Sequence, residues 1–253
     1  HTRAVELEAE VRQHLAAGEA FLESRDLGGA EGQLAEARAH LEAAQYEAGP
    51  LAMAVADLDH NVSAKIRAEE QFKQFQELRE RVYSWMQQEG SRALEKCRAA
   101  LNLYAVMDGP SWRQEPLFRD LAAQQQKVVE DGAAELLFLS ARLEIKTTYD
   151  PKARAAAHRR AIDALRRIET FPAPVPAVYL WMAESWQALG EEKLARDAVK
   201  RAESLPSRTA LDYFVLAEFQ YYQGRSEEAL QTYYLGLRDQ PDHFLSLFGA
   251  GNT

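Results

Sequence analysis

Two consecutive stretches decide the fold: VPAVYLWMAESWQALGEEKLARDAVKRAESLPSR, residues 175–208, and TALDYFVLAEFQYYQGRSEEALQTYYLGLRDQPD, residues 209–242. Tyr179, Met182, Ala183, Trp186, Gly190, Ala195, Val199 and Ala202 of the first are answered 34 residues later by Tyr213, Leu216, Ala217, Gln220, Gly224, Ala229, Tyr233 and Gly236. The leading large residues share one stripe of a helix. Ala183 and Ala217 are small, which lets a second helix cross closely. Gly190 and Gly224 sit where the first helix must stop and turn, a position that favours positive φ. Ala195 and Ala229 are small at the crossing again, and Val199 and Tyr233 are expected to fill the gap between neighbouring hairpins. Pro206 and Pro241 then close each hairpin. A single hairpin of this kind cannot bury both its faces, so each needs neighbours.

The period and the placed residues resemble the tetratricopeptide repeat, in which a W-x2-L-G-x2-Y helix is followed by an A-x3-F helix and a proline. The resemblance implies an all-α fold, with helical hairpins leading into a tetratricopeptide-type right-handed α-solenoid. After Pro241 a further unit is expected to begin near Phe244, with Leu247, Ala250 and Gly251 at its leading signature positions. Residues 243–253 then read as a truncated unit. With His1 in first place and no methionine before it, the chain reads as a piece of a larger protein.

At 253 residues and 47% hydrophobic, the chain can bury a substantial core. Its 30 basic and 39 acidic residues give a net charge of -9, a poor match to nucleic acid, which calls for clustered Lys and Arg. The nearest basic cluster, Arg154 to Arg167, lies on one helix diluted by alanine and reads as a solvated face. The lone Cys97 excludes an internal disulfide and suits a reducing compartment. Its Ala93-x3-Cys97 setting fits a buried structural thiol. No apolar run approaches the roughly 18 residues of a membrane span, and the default location is cytoplasmic.

Taken in order, Leu7, Val11, Leu15, Phe21 and Leu22 recur at helical spacing until Asp26, Gly28 and Gly29. Leu34, Ala37, Leu41 and Ala44 mark a second helix that Gly49-Pro50 ends, and the pair resembles a worn repeat unit. A long amphipathic pattern follows through Val55, Leu58, Val62, Ile66, Phe72, Phe75, Leu78, Val82 and Trp85. If continuous over about 51–88 it is roughly 57 Å long. Folding back on the first hairpin is the favoured use of its apolar seam, and pairing with a second copy is the alternative. A helix from Ser91, the turn Asp108-Gly109-Pro110-Ser111-Trp112, and amphipathic helices over Leu121–Lys146 and Ala153–Thr170 complete the reading. The expected division is an alanine-rich helical region, residues 1–110, and a repeat array, residues 111–253. That array comprises a degenerate unit 121–172, repeats 175–208 and 209–242, and the truncated unit 243–253.

No catalytic constellation emerges. The 6 histidines show no ligand spacing, and there is no H-E-x-x-H, C-x-x-C, G-x-S-x-G or glycine-rich phosphate loop, so no metal, cofactor or enzymatic activity is expected of these residues. The productive surface is the concave groove that first helices line in tetratricopeptide arrays. Mapped here, its residues are Leu180, Glu184 and Gln187 in one repeat and Phe214, Glu218, Tyr221 and Tyr222 in the next. Lys and Asn, which grip a terminal carboxylate in some family members, are missing from these places. An aromatic floor with an acidic pair suits a protein or peptide segment bearing apolar and basic residues. On this reading Glu218→Lys barely changes stability yet weakens a basic partner. Alternatively, Tyr221 and Tyr222 pack on a following repeat.

Gln71-Phe72-Lys73-Gln74-Phe75 with Leu78-Arg79, then Ala93 to Leu101, then Leu103-Tyr104-Ala105-Val106-Met107-Asp108 with Trp112, resemble a segment of planctomycete-type bacterial serine/threonine protein kinases. In those chains an alanine-rich helical region follows the catalytic domain and leads into tetratricopeptide repeats. Ala105 stands where that family often has Gly. The kinase's own motifs are absent from these residues. The resemblance implies a non-catalytic scaffold within a larger signalling protein, which recruits a partner or substrate through its groove. The rival reading is an oligomerisation or spacer module acting through the long helix, with a homodimer as its product.

Overall fold

The computed structural model describes residues 2–44, 49–172, 175–205 and 209–253. Pro206, expected to close a hairpin, lies outside these residues, as do His1, Ala173 and Pro174. Every regular element among the described residues is helical. In order they are α1 (Thr2–Glu23), α2 (Leu27–Ala43), α3 (Pro50–Trp85), α4 (Gly90–Leu103), a 3-10 turn (Pro110–Gln114), α5 (Pro116–Arg119), α6 (Ala123–Thr147), α7 (Pro151–Ile168), α8 (Val178–Ala188), α9 (Glu192–Glu203), α10 (Ala210–Tyr222), α11 (Ser226–Asp239) and α12 (Phe244–Asn252). They form two compact units, one of residues 1–73 with 114–123 and one of residues 74–113 with 124–253.

In the first unit α1 and α2 form a hairpin against the first two-thirds of α3. Val11, Leu15 and Leu22 of α1, Ala30, Leu34 and Ala37 of α2, and Val55, Leu58 and Val62 of α3 make one core. Gly18, Phe21, Arg25, Ala30, Leu34 and Ala37 reproduce the spacing of Ala183, Trp186, Gly190, Ala195, Val199 and Ala202, so this hairpin carries the repeat's register. A Cβ on Gly18 would lie 2.8 Å from the Leu58 side chain, so the close approach is to α3. Arg25 occupies the glycine position with φ 60, and the Arg25 and Asp26 N–H groups close the helix on the Leu22 and Phe21 carbonyls. Its guanidinium reaches Glu69 at 3.4 Å and the Asp120 carbonyl at 3.0 Å, ties that offset the cost of a left-handed backbone. The first part of the α3 seam, Val55, Leu58 and Val62, is thereby covered by the first hairpin.

The second unit opens with the end of α3 and with α4, whose Ala93, Cys97 and Ala100 are fully buried. Burial pushes the Cys97 thiol up to about 12, which keeps it protonated and inert. α4 ends as a repeat helix does, with the Val106 and Ala105 N–H groups bonded to the Leu101 and Asn102 carbonyls, but the left-handed residue is Ala105 at φ 51. Ala105→Gly removes a Cβ clash and is expected to stabilise by about 1 kcal/mol, less the extra chain entropy of an unfolded glycine. A raised thermal midpoint checks this, and a lowered one would contradict the backbone geometry.

The two regular hairpins are α8/α9 and α10/α11. Gly190 and Gly224 have φ +78 and +75, and the N–H groups that follow them reach back to the Trp186 and Gln220 carbonyls, so both glycines cap as expected. Ala183, Ala195 and Ala198 pack with Tyr179 and Trp186, and Ala217 and Ala229 are fully buried in the second hairpin. Ala217→Leu is expected to overpack that crossing at a cost of about 1 to 3 kcal/mol, and a variant with an unchanged midpoint would contradict the register. Val199 corrects the expectation, being exposed where Tyr233 is buried. The hairpins are joined instead by Trp181, whose Nε1–H donates to the Val215 carbonyl at 3.2 Å, and by Asp212, which accepts the Ala177 N–H at 2.8 Å.

In α12 the expected signature residues Leu247 and Gly251 are exposed and Ala250 is half-buried. No second helix among the described residues covers their face. Leu245, Ser246 and Gly249 are buried instead. A Cβ on Gly249 would come within 2.4 Å of the Tyr233 ring, so only glycine fits there as the helices stand.

Candidate functional site

The first helices of the repeats present matching rows: Leu180, Phe214 and Phe248, then Glu184, Glu218 and Asn252, each 34 residues apart. In a regular array each unit touches only its neighbours. α6 does not follow that rule. Its Phe138 meets Trp181 of α8 edge-on at 5.6 Å and Phe214 of α10 at 5.8 Å, and Glu135 reaches His243, the N-cap of α12. α6 therefore runs across the row on which a groove partner was expected. Residues 132–141 are all buried, the pattern of a helix enclosed on every side.

Polar side chains fix α6 at three levels. Glu135 accepts from Arg79 Nε at 3.0 Å, pairs with Arg79 Nη2 at 2.7 Å, accepts from the Tyr83 hydroxyl, and lies 3.4 Å from His243 Nε2. Burial alone would raise the Glu135 pKa, but His243, the Arg79 charge and the Tyr83 hydroxyl outweigh it and hold the carboxyl below its usual range. The Tyr83 hydroxyl is pushed well above its ordinary value by burial and by the Glu135 charge, so it stays a donor. One level on, Arg142 pairs with Glu218, which also accepts from the Tyr233 hydroxyl, and the guanidinium lies 5.6 Å from the Trp181 ring centroid. At the C-terminal end Glu144 is shared by Arg98 and Arg160.

Two of the expected groove residues are therefore not open to a partner. Phe214 is 1% exposed beneath Phe138, and Glu218 is 8% exposed and already paired with Arg142. The chain itself supplies the apolar and basic helical segment that the groove chemistry called for. Leu180 and Glu184 are half-buried, Glu184 accepting from Gln223 Nε2 at 2.8 Å, while Gln187, Tyr221 and Tyr222 are exposed. Tyr221 lines a cleft of about 300 Å³ beside Leu139, Arg142 and Phe248. Glu184 and Tyr222 line another of about 600 Å³ with Trp181, Ser185, Arg142, Lys146, Arg154 and His158.

This larger cleft holds Glu184 and Tyr222 of the expected surface, and the sequence does not announce the rest of its wall. Tyr222 is 62% exposed, and its ring stands 5.4 Å from that of Trp181. Arg154 was read as part of a solvated helix face. Three other members of that basic run are used internally: Arg160 on Glu144 at 2.9 Å, Arg166 over the Trp186 ring at 5.3 Å, and Arg167 on the Met107 carbonyl at 2.9 Å. Burial and the Arg154 charge hold the His158 pKa below its usual value, so the imidazole is neutral near pH 7. Among the described residues no group of His, Cys, Asp and Glu is placed to hold a metal ion, and no helix is long and apolar enough to cross a membrane.

No protein-family model matches the chain, and no curated protein matches it. One solved structure to which it is similar is TTC0263, a thermophilic TPR protein of Thermus thermophilus. The two are 20% identical over 70% of this chain and 97% of that one, with a TM-score of 0.32.

Proposed function

We propose that this chain is a non-catalytic protein-interaction segment of a larger signalling protein, of the bacterial serine/threonine kinase kind its sequence resembles. Its partner is a protein or peptide that docks beside the filled groove. The observation that carries this reading is Tyr222, a large aromatic side chain kept 62% exposed beside the buried Trp181 ring, on an array whose inner row α6 otherwise covers. Aromatic side chains of this kind are favoured anchors for a partner. Pairing of two copies through residues 51–85 has less support, because Val55, Leu58, Val62, Phe75 and Val82 are already buried within the chain.

A photo-crosslinking amino acid placed at Tyr222 of the parent protein in its own cells tests the reading, with Leu194 on α9 as control. The expected result is an adduct with one identified protein at position 222 and none at 194. Absence of any protein adduct at 222, or equal labelling at both positions, would overturn it.

A further inference from the structure

The cleft beside Tyr222 is chemically lopsided. Lys146 at the end of α6 and Arg154 on α7 are exposed and take part in no ion pair among the described residues, whereas the carboxylate in the cleft wall, Glu184, is engaged by Gln223. Arg142, the remaining cation, is committed to Glu218. Two polar atoms in the cleft wall also lack any hydrogen-bond partner among the described residues. One is Oγ of Ser185, a residue 1% exposed, and the other is Nδ1 of His158. A buried donor without an acceptor costs about 1 to 3 kcal/mol, so such atoms are normally paired. A hydroxyl that can donate, a neutral imidazole that can donate from one nitrogen, and two unpaired cations ask for the same thing, a compact group made only of acceptors.

We propose that this cleft is a docking site for an acidic peptide segment. One Asp or Glu carboxylate of the segment is held by Lys146 and Arg154 and accepts from Ser185 and His158. An adjoining apolar side chain lies on the exposed Tyr222 ring, beside the edge of Trp181. The site rests on the interaction reading given above and names the chemistry of the partner, reversing the expectation of a basic one. The reversal has a physical cause: α6 brings its own Arg142 to Glu218 and leaves the surplus positive charge on the rim. In a chain of net charge -9 this is a local exception that long-range attraction alone would not favour. Recognition there depends on the cleft.

The test uses the 253-residue chain and three labelled heptapeptides, Gly-Glu-Leu-Glu-Phe-Gly-Gly and its versions with both Glu changed to Gln or to Lys, followed by fluorescence anisotropy at low and physiological salt. The acidic peptide is expected to bind at least about tenfold more tightly than the Gln version. The double variant Lys146→Glu with Arg154→Glu, both changes at exposed positions, is expected to lose that advantage. Ser185→Ala should reduce it, and Arg196→Glu with Lys200→Glu on α9 should leave it unchanged. Equal binding of the acidic and Gln peptides, full binding by the Lys146/Arg154 variant, or no binding of any peptide would overturn the proposal. A crosslinked partner at Tyr222 that survives the double reversal would sink the acidic site alone and leave the interaction reading standing.

Discussion

Glu218→Lys is expected to destabilise the second unit by about 3 kcal/mol, the result of breaking a largely buried ion pair from one side. The carboxylate is the acceptor for both Arg142 and the Tyr233 hydroxyl, and its side chain keeps only 10% of its surface in water. Replacing it with an ammonium puts two cations against one another over Trp181 and leaves the tyrosine without its acceptor. Arg142 retains 33% of its surface, which lets it turn partly toward solvent and holds the cost near the low end for buried pairs. Glu218→Gln keeps an acceptor for Tyr233 and should cost less, about 1 to 2 kcal/mol. Tryptophan fluorescence reads the effect cleanly, because Trp85, Trp112, Trp181 and Trp186 all belong to the second unit. An unchanged unfolding midpoint in Glu218→Lys would mean that α6 does not rest on α10 through this pair.

That expectation reverses the one drawn from the repeat pattern, and the reason shows what a local pattern can carry. A 34-residue period reports contacts between adjacent hairpins, so the turns at Gly190 and Gly224 and the small residues Ala183, Ala217 and Ala229 were legible. Each is decided by backbone geometry within one unit. The same holds for the first hairpin, where Gly18, Ala30 and Ala37 keep the spacing although Arg25 replaces the glycine. What occupies the groove is a contact between elements far apart in the chain, and no period encodes it. A signal did exist: residues 132–141, GAAELLFLSA, contain one charge, too little for a helix with a solvated face. Taken as one amphipathic helix among several, the segment hid its own burial.

The candidate site was legible in the same uneven way. Glu184 and Tyr222 were placed by the repeat register and do line an open cleft. Glu218 stands one repeat after Glu184 and one turn before Tyr222, with Phe214 one turn before it, and both are covered because α6 crosses there. Lys146, Arg154, His158 and Ser185 come from three helices, and only the tertiary packing of α6 and α7 on α8 sets them around one cleft. A reading that asked for basic residues only as a nucleic-acid signal passed over Arg154.

Glu135→Ala is the more damaging change, expected to cost about 3 to 5 kcal/mol. Its carboxylate ties α3 to α12: it accepts from Arg79 and Tyr83 of the first and lies 3.4 Å from His243 Nε2 at the start of the second. His243 Nδ1 accepts the Ser246 N–H at 3.3 Å as the cap of α12, which leaves the proton on Nε2 facing Glu135. Without the carboxylate the Arg79 guanidinium, with 24% of its side chain exposed, loses its ion-pair partner among the described residues, and the end of α3, α6 and α12 lose their common tie. The same group predicts an acid limb. Because the folded pKa lies below that of the unfolded chain, the stabilisation is complete above the unfolded value of about 4.3, declines as the pH falls below it, and is gone below the folded pKa. Glu135→Gln, which cannot titrate, should be less stable than the parent at neutral pH and should lose less on acidification, so the two midpoints converge in acid. Parallel curves, with a constant gap down through that range, would mean that Glu135 is not the carboxylate on which this junction depends.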